Sequence, residues 1–323
     1  MRNTFIQTLT ELAAQDPRII FLTADLGYTV VEPFANRFPN RFFNVGVAEQ
    51  NMIGMATGMA EAGYIPFVYS ISNFACLRPY EFIRNGPVHH QLPVRIVGVG
   101  AGFDYGSAGI THYNLEDVGA LRIQKGLKII VPVDNEQTKT ALLKTWNLPG
   151  PSYYRLGKGE KKQVPNLNGN FDLGQAQRIS DGKDVVFICM GTISHEVIEA
   201  TDALSNKGIF SSVVIVSSFN PSPEQDIVKI LKDFPLAITV EDHYITGGLG
   251  SFVAEVVAEN GLATQLVRCG IRGLVEETGS RAFMNDKYGI SSQKLVKTAI
   301  DSLKKIGNAK PSHLYNSSYT QTV

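Results

Sequence analysis

Apolar residues occur along the chain in short continuous runs that alternate with stretches of helical spacing. Most runs are four to six residues long, which is typical of strands buried on both faces of a parallel sheet. This alternation predicts an α/β fold with right-handed crossovers. Strands are predicted at Ile19–Thr23, Ile65–Tyr69, Val94–Val99, Ile129–Val133, Val185–Met190, Ser212–Val216, Leu236–Val240 and Leu266–Cys269. Helices are predicted at Thr4–Gln15, Ala48–Ala62, Pro79–His90, Leu115–Gly126, Glu136–Trp146, His195–Asn206, Glu224–Asp233, Leu249–Asn260 and Gln293–Lys305.

The pattern divides the chain into two doubly wound domains. Residues 1–156 are expected to hold a mostly parallel sheet, and residues 184–306 a smaller, mixed α/β domain. Residues 157–183 are rich in Gly, Asn and Lys, which predicts a linker. Residues 307–323 are polar and patternless, which predicts a flexible tail.

Composition narrows the classes of function. Apolar residues make up 44% of the 323 positions, so a substantial core is available. Lys+Arg and Asp+Glu both number 30, which argues against a broad nucleic-acid-binding surface. The N-terminus lacks the apolar region of a signal peptide, and no stretch is long and apolar enough to span a bilayer. The three cysteines are far apart, as in a reducing compartment. We therefore expect a cytoplasmic protein that binds neither nucleic acid nor membrane.

The segment 44–63 carries the most informative residue. It is predicted to be a strand end that turns into a helix, with Glu49 in the first helical turn among Gly, Ala and Met. A carboxylate in that position can simply stabilise the helix N-terminus. The alternative is a catalytic role, and the sequence around Glu49 decides between the two.

Several phrases occur in a characteristic order along the chain, and together they carry a resemblance. In the first half these are Thr-Ala-Asp-Leu-Gly at 23–27, Gly-Val-Ala-Glu-Gln at 46–50, and Thr111-His112 followed by Leu-Glu-Asp at 115–117. In the second half they are Met-Gly-Thr at 190–192, Val-Glu-Asp-His at 240–243 and Gly-Gly-Leu-Gly-Ser at 247–251. Over about residues 2–305, the chain resembles the pyrimidine-binding domain and the C-terminal domain of the transketolase superfamily of thiamine-diphosphate enzymes.

The resemblance assigns roles at the cofactor. Glu49 would share a proton with N1′ of the aminopyrimidine, which activates the thiazolium C2 and lets the cofactor act as an electron sink. Phe74 would pack on the pyrimidine ring, although it also fits a core phenylalanine at a strand–helix junction. Ile71 and Asp25 would complete the cofactor-binding residues. Arg78 would pair with an acid across a dimer interface.

The resemblance also assigns two residues to the substrate. His112, in a Gly-rich loop after a strand, would line the substrate channel and contact the bound intermediate. Arg155 would bind the phosphate of a sugar phosphate. The alternative role for Arg155 is a surface ion pair. Ala108 and Tyr113 stand where the family has Asp and Gln, so an unusual carbohydrate is the expected substrate.

The chain lacks the Gly-Asp-Gly phrase that holds Mg²⁺ and the diphosphate in this family. We therefore expect no metal ligands here, and an N-terminal-section transketolase subunit as partner. The assembly would be a two-plus-two heterotetramer, in which this chain self-associates through its C-terminal domain and the helix after Glu49.

These inferences predict a subunit of a split transketolase. It would transfer a two-carbon ketol unit from a ketose or ketose phosphate donor to an aldose acceptor. One alternative is the β subunit of a 2-oxo-acid dehydrogenase E1 component or a deoxyxylulose-phosphate-synthase-like enzyme. The other is a non-catalytic assembly subunit.

Overall fold

The computed structural model describes residues 1–159 and 162–308. Its strands are β1 (Ile19–Thr23), β2 (Phe42–Asn44), β3 (Ile65–Ile71), β4 (Arg95–Val99), β5 (Lys128–Ile130), β6 (Ser152–Leu156), β7 (Ala176–Ser180), β8 (Val185–Cys189), β9 (Ser211–Val216), β10 (Ser218–Phe219), β11 (Leu236–Tyr244) and β12 (Gln265–Ile271). Its helices are α1 (Arg2–Gln15), α2 (Glu32–Arg37), α3 (Glu49–Glu61), α4 (Ser72–Cys76), α5 (Tyr80–Ile83), α6 (Asp117–Arg122), α7 (Asn135–Thr145), α8 (Ser194–Ser205), α9 (Glu224–Leu231), α10 (Leu249–Glu259), α11 (Arg281–Lys287) and α12 (Ser292–Asn308).

The strands form two sheets, which confirms the predicted fold class. The first sheet has the order β10-β5-β6-β4-β3-β1-β2, and all neighbours are parallel except β10 and β5. The second has the order β12-β11-β8-β9-β7, in which only β7 runs antiparallel to its neighbour. Apolar runs such as β1 and β8 are buried along their whole length, as strands between two helical layers must be.

All eight predicted strands are present, the strand end predicted at the start of segment 44–63 is that of β2, and three further strands, β6, β7 and β10, escaped prediction. β6 has polar residues at Ser152 and Arg155, so it does not form a continuous apolar run. β7 lies inside the predicted linker 157–183 and pairs with β9, so that segment is partly an edge strand of the second sheet. α12 covers residues 307–308, the start of the predicted tail, and the rest of the tail lies outside the described residues. None of the helices in the described ranges combines the length and apolar character that crossing a membrane requires.

The second half of the chain contributes to the first sheet. After β9 the chain returns to pair β10 with β5, with Phe219 opposite Ile129. One continuous apolar cluster contains residues from both sheets, including Ile129, Ile188 and Phe219. The two halves of the chain are therefore joined by main-chain hydrogen bonds within the first sheet as well as by side-chain packing between the sheets.

The first sheet brings several chain segments to one edge. β1, β3 and β4 are parallel neighbours, so their carboxyl ends lie side by side. The loop 24–31 follows β1, α4 follows β3, and the loop 100–116 follows β4. In open α/β sheets this is the edge at which ligands bind.

Candidate active site

Glu49 begins α3 and is fully buried. Its Oε1 accepts a hydrogen bond from Ser70 Oγ on β3 at 3.3 Å, and its Oε2 accepts one from Arg78 Nη1 at 2.7 Å. A turn with Gly46 in the left-handed region, at φ 71°, joins β2 to this helix and places the carboxyl group against β3. A buried carboxyl group with so few polar contacts is poorly solvated, and a ligand that donates a hydrogen bond can compensate for the lost water.

Phe74 and Arg78 lie beside Glu49, close to the carboxyl end of β3. Phe74 lies in α4, and Arg78 lies in the turn that follows the end of α4 at Cys76. The Arg78 Cζ atom lies 4.2 Å from the centroid of the half-buried Phe74 ring. The expected partner of Arg78 was an acid across a dimer, whereas the structure pairs it with Glu49 of its own chain.

His112 approaches the same aromatic ring from the loop after β4. Its ring centroid lies 5.3 Å from that of Phe74 in an edge-to-face arrangement. His112 Nδ1 lies 2.8 Å from Thr111 Oγ1, and Asn73 Nδ2 on α4 donates a hydrogen bond to Thr111 O at 2.9 Å. The structure thus places Glu49, Phe74 and His112 together, with α4 anchoring the histidine loop.

The two other predicted cofactor residues lie at the same sheet edge. Ile71 is the half-buried last residue of β3, immediately before α4. Asp25 follows β1, is exposed, and bonds to Asn44 at the end of β2: its backbone N–H donates to Asn44 Oδ1, and Asn44 Nδ2 donates to Asp25 Oδ1, both at 3.0 Å. Ile71 adjoins the group around Phe74, and Asp25 lies towards the β2 side of the sheet.

Arg155 is buried, which does not fit the phosphate-binding role that the resemblance implied for it. Its side chain is 2% exposed and is enclosed by Asp117 in the first half of the chain and Asp242 in the second half. The Nε atom donates to Asp117 Oδ2 at 2.9 Å, Nη1 donates to Asp242 Oδ1 at 2.9 Å, and Nη2 donates to Asp242 O at 3.0 Å. The alternative of a surface ion pair does not fit either, because this guanidinium holds the two halves together from inside.

His243 extends this buried interdomain cluster. Its Nε2 accepts the Gly119 N–H at 3.1 Å, and its Nδ1 lies 2.6 Å from Tyr244 O. Burial lowers the pKa of His243, so the ring is neutral, with Nδ1–H as donor. Burial also raises the pKa of the neighbouring Glu241 to about 8, although the carboxyl group accepts the N–H groups of Leu249 and Gly250.

Tyr113 and Ala108, the two departures from the usual motif, lie on either side of His112. Tyr113 is buried, its ring packs against Phe103, and its hydroxyl donates to Val275 O in the second unit at 3.3 Å. Ala108 is exposed at the end of a 3₁₀ turn, Phe103–Ala108. Tyr113 therefore anchors the histidine loop, and Ala108 offers no polar group at its own position.

The sequence matches two neighbouring family profiles over most of its length. The profile described as "Transketolase, pyrimidine binding domain" matches residues 1–163, and the one described as "Transketolase, C-terminal domain" matches residues 174–295. The chain belongs to the transketolase family.

Relatives in the transketolase family include proteins of similar length. A protein of Methanocaldococcus jannaschii, described as a transketolase C-terminal section, is 37% identical over 308 residues, covering 94% of this chain and 96% of that protein. The 6-deoxy-6-sulfo-D-fructose transketolase subunit of Clostridium sp. (strain MSTE9) is 33% identical over 300 residues, covering 93% of each. A solved structure, described as "Split gene transketolase, inactive beta4 tetramer", aligns with a TM-score of 0.84 at 32% identity, covering 94% of this chain and 97% of that one. The predicted membership is confirmed.

The candidate site includes contacts that sequence reasoning missed. Ser70 was not singled out, and Arg78 was expected to pair with an acid, but its contacts with Glu49 and Phe74 of its own chain were not foreseen. Asp242 carried a signal, since the polar triplet at 241–243 directly follows the predicted apolar strand Leu236–Val240 and lies inside β11. Asp117 was recognised only as part of a motif, and its ion pair with Arg155 was not foreseen.

The residues around Glu49 fit the pyrimidine half of thiamine diphosphate. That half needs a flat apolar face and a buried carboxyl group that accepts a hydrogen bond. The Arg78 guanidinium, a flat donor group, already lies against Phe74 and donates to Glu49, so both requirements are met at one place. Among the described residues, no group of three His, Cys, Asp or Glu side chains could hold a metal ion.

Proposed function

We propose that this chain is the C-terminal-section subunit of a split, thiamine-diphosphate-dependent transketolase. It would transfer a two-carbon ketol unit from a ketose or ketose phosphate to an aldose acceptor. The observation that carries the proposal is the buried Glu49 carboxyl group beside Phe74 and His112, at the carboxyl edge of a parallel sheet. A non-catalytic subunit would have no need of a buried carboxyl group at the edge of a ligand-accessible aromatic ring.

Glu49, Phe74 and Ile71 would hold the pyrimidine of the cofactor, and Asp25 would lie at the border of the site. When bound, thiamine diphosphate supplies an acidic carbon and an electron sink. Glu49 would hold a proton at a carboxyl oxygen that faces the ring, and its burial excludes the water that would compete for that proton. Phe74 would orient the ring by stacking.

His112 would act on the substrate. It lies in a loop at the sheet edge, half-buried, with its ring edge towards Phe74. Thr111 fixes Nδ1, which leaves Nε2 to donate a hydrogen bond to, or accept one from, an oxygen of the substrate.

The substrate would differ from the usual pentose phosphates. Arg155 is enclosed between Asp117 and Asp242, so this chain does not offer it to a phosphate. The exposed Ala108 offers no carboxylate to an acceptor hydroxyl. The sulfo-sugar named for one relative supports the class of unusual ketoses without identifying the sugar used here.

A partner subunit would supply the ligands of Mg²⁺ and of the diphosphate. Two copies of each chain would form the enzyme, with this chain self-associating. The exposed face of α3 suits such a contact, because Gly54 and Gly58 leave open space and Phe82 on the next helix is 46% exposed. The β4 tetramer of the split relative, described as inactive, supports both self-association and dependence on a partner.

Calorimetry tests the proposal directly. The isolated chain, titrated with thiamine diphosphate and Mg²⁺, should show no micromolar binding, and a neighbouring-gene product that carries Gly-Asp-Gly should restore it. Micromolar binding by the chain alone would contradict the split-enzyme proposal. Light scattering of the mixture should show two copies of each chain, and a stable one-to-one complex would contradict the assembly.

A further inference from the structure

Arg78 makes two contacts that a cofactor ring would also make. Its guanidinium lies over the face of Phe74, with Cζ 4.2 Å from the ring centroid. Its Nη1 donates a hydrogen bond to Glu49 Oε2 at 2.7 Å. The side chain is 38% exposed, whereas that of Glu49 is 1% exposed, so the arginine covers the carboxyl group from the solvent side.

The guanidinium and the aminopyrimidine are chemically alike at this site. Both are flat, both stack on an aromatic face, and both present N–H donors along one edge to a carboxylate. Atoms in stacked groups approach to about 3.5–4.0 Å, so the layer directly over Phe74 has room for one of them.

We propose that Arg78 is a placeholder for the pyrimidine ring: the Arg78 side chain occupies the position of the ring in the free chain and leaves that position when the cofactor binds. The proposal rests on the proposed function, because it takes the ligand of Glu49 and Phe74 to be an aminopyrimidine. Arg78 keeps the buried Glu49 charge paired in the absence of cofactor, and its partial exposure gives it a path out of the site.

The placeholder lowers the apparent affinity for the pyrimidine. Only molecules in which Arg78 has swung out can bind, so the apparent Kd equals the intrinsic Kd divided by the open fraction. If about one molecule in ten is open, removing the arginine tightens binding about tenfold. A lysine keeps the charge but lacks the flat fork, so it competes less well for the aromatic face.

The test uses thiamine as the probe, because thiamine lacks the diphosphate, whose Mg²⁺ and ligands the partner subunit would supply. The full chain is titrated by calorimetry and by ligand-observed NMR as wild type, Arg78→Ala and Arg78→Lys. Arg84→Ala serves as the matched control. Arg84 is an exposed arginine six residues further along the chain, and the contact described for its Nη1 is a hydrogen bond to Asn85 Oδ1. We expect about tenfold tighter binding for Arg78→Ala, a smaller gain for Arg78→Lys, and none for Arg84→Ala.

A second measurement needs no variant and covers the case in which Arg78→Ala does not fold. The Nε–H signal of Arg78 in the wild-type chain is shifted by the ring current of Phe74. Saturating thiamine should move it to the position of an exposed arginine, and Arg84 should not move.

The outcomes separate the two proposals. Equal affinities for wild type and Arg78→Ala, or thiamine binding that leaves the Arg78 signal in place, would overturn the placeholder and leave the proposed function standing. If thiamine at millimolar concentration binds neither the wild type nor Arg78→Ala, the placeholder is overturned. The proposed function has its own test, the titration of the diphosphate cofactor in the presence of the partner subunit.

Discussion

Two arginine–carboxylate pairs of similar length occupy opposite situations in this molecule. Arg78 lies 2.7 Å from Glu49 at the sheet edge, with 38% of its side chain exposed. Arg155 lies 2.9 Å from both Asp117 and Asp242 between the two halves, with 2% exposed. The first guanidinium covers a carboxyl group that a ligand can approach, and the second is enclosed by carboxylates on two sides.

The difference teaches that enclosure and the number of partners, rather than distance, separate a replaceable ion pair from a structural one. Arg78 has solvent on one side, so water can solvate it as it leaves Glu49. If Arg155 left its site, the carboxylates of Asp117 and Asp242 would lose their nearest cation in a place that water does not reach. Such a loss raises the free energy of the fold strongly. The exposed pair therefore suits a ligand site, and the buried one suits a joint between the two halves.

The largest effect is expected for Glu49→Gln in the complete complex with its partner. The amide keeps the size of the side chain but cannot share a proton with N1′, so hydrogen–deuterium exchange at the thiazolium C2 should slow by about 10²–10⁴-fold. Quenched-flow NMR measures this rate. His112→Ala is the comparison, and it should leave C2 exchange intact while slowing turnover of the donor. If Glu49→Gln exchanges the C2 hydrogen at the wild-type rate, the only role left for Glu49 is that of a carboxylate that stabilises the helix N-terminus.

Arg155→Ala should destabilise the fold strongly. It leaves Asp117 buried without a cation and Asp242 with only the more distant Arg281, whose Nη2 lies 3.6 Å from Asp242 Oδ2, and the loss of a buried partner of this kind costs about 3–5 kcal/mol. Urea denaturation gives the free energy of unfolding. Arg122→Ala is the matched control, because Arg122 bridges the same two halves to the half-exposed Glu255 and should cost less than about 1 kcal/mol. Similar losses for both variants would mean that enclosure is not what distinguishes Arg155.

A double-mutant cycle between Arg78 and Glu49 should give a coupling energy below about 1 kcal/mol, since one partner is well exposed. Screening should reduce this coupling further between 50 mM and 1 M NaCl. The corresponding cycle between Arg155 and Asp117 should give a larger coupling that salt leaves almost unchanged. A large, salt-resistant coupling at Glu49 would contradict the view that its pair is replaceable.

The smallest effect concerns pH and lies within the buried cluster. Burial lowers the pKa of His243 below its ordinary value of about 6.5, so the unfolded chain takes up the proton first. The stabilising contribution is complete above pH 6.5 and is lost as the pH falls towards the folded-state pKa. Replacing His243 with Gln, which can keep both hydrogen bonds, should therefore flatten the loss of thermal stability between pH 7 and pH 5.

Glu241 affects stability in the opposite direction, so variants must be compared over the same pH range. Its pKa of about 8 in the folded state lies above the unfolded value, so its contribution is lost as the pH rises through 8. The exposed His90→Gln serves as the control for His243→Gln and should reproduce the wild-type profile. Parallel profiles for wild type and His243→Gln would show that His243 does not titrate within this window.

The sequence predicted the strands whose burial comes from apolar side chains alone. It missed β6, because Arg155 is buried there only by virtue of carboxylates that lie elsewhere in the fold. It also missed the two-residue β10, which is too short to show a pattern. Strands defined by partners distant in the sequence cannot be identified from local periodicity.

The candidate site, like the strands, was predictable only in part. The closeness of Glu49, Phe74 and His112 was predictable, because their segments follow β2, β3 and β4, parallel strands whose carboxyl ends lie at one edge of the sheet. The surroundings of Arg155 were not predictable, because its partner Asp242 lies 87 positions further along and in the other half. A motif identified the residue type, but only the folded chain shows what an arginine contacts.

The pairing of β10 with β5 has a consequence for synthesis on the ribosome. Domains usually fold as units while the chain emerges, the N-terminal one first. Here the first sheet stays open at β5 until Phe219 has left the ribosome, well after β6 has been made. A nascent chain stalled between these points would present an unpaired strand edge, the kind of surface on which other chains add strands. The last strand of the first sheet is thus translated after the whole of the predicted linker and of β9, so the folding of the first half is completed only with a segment of the second.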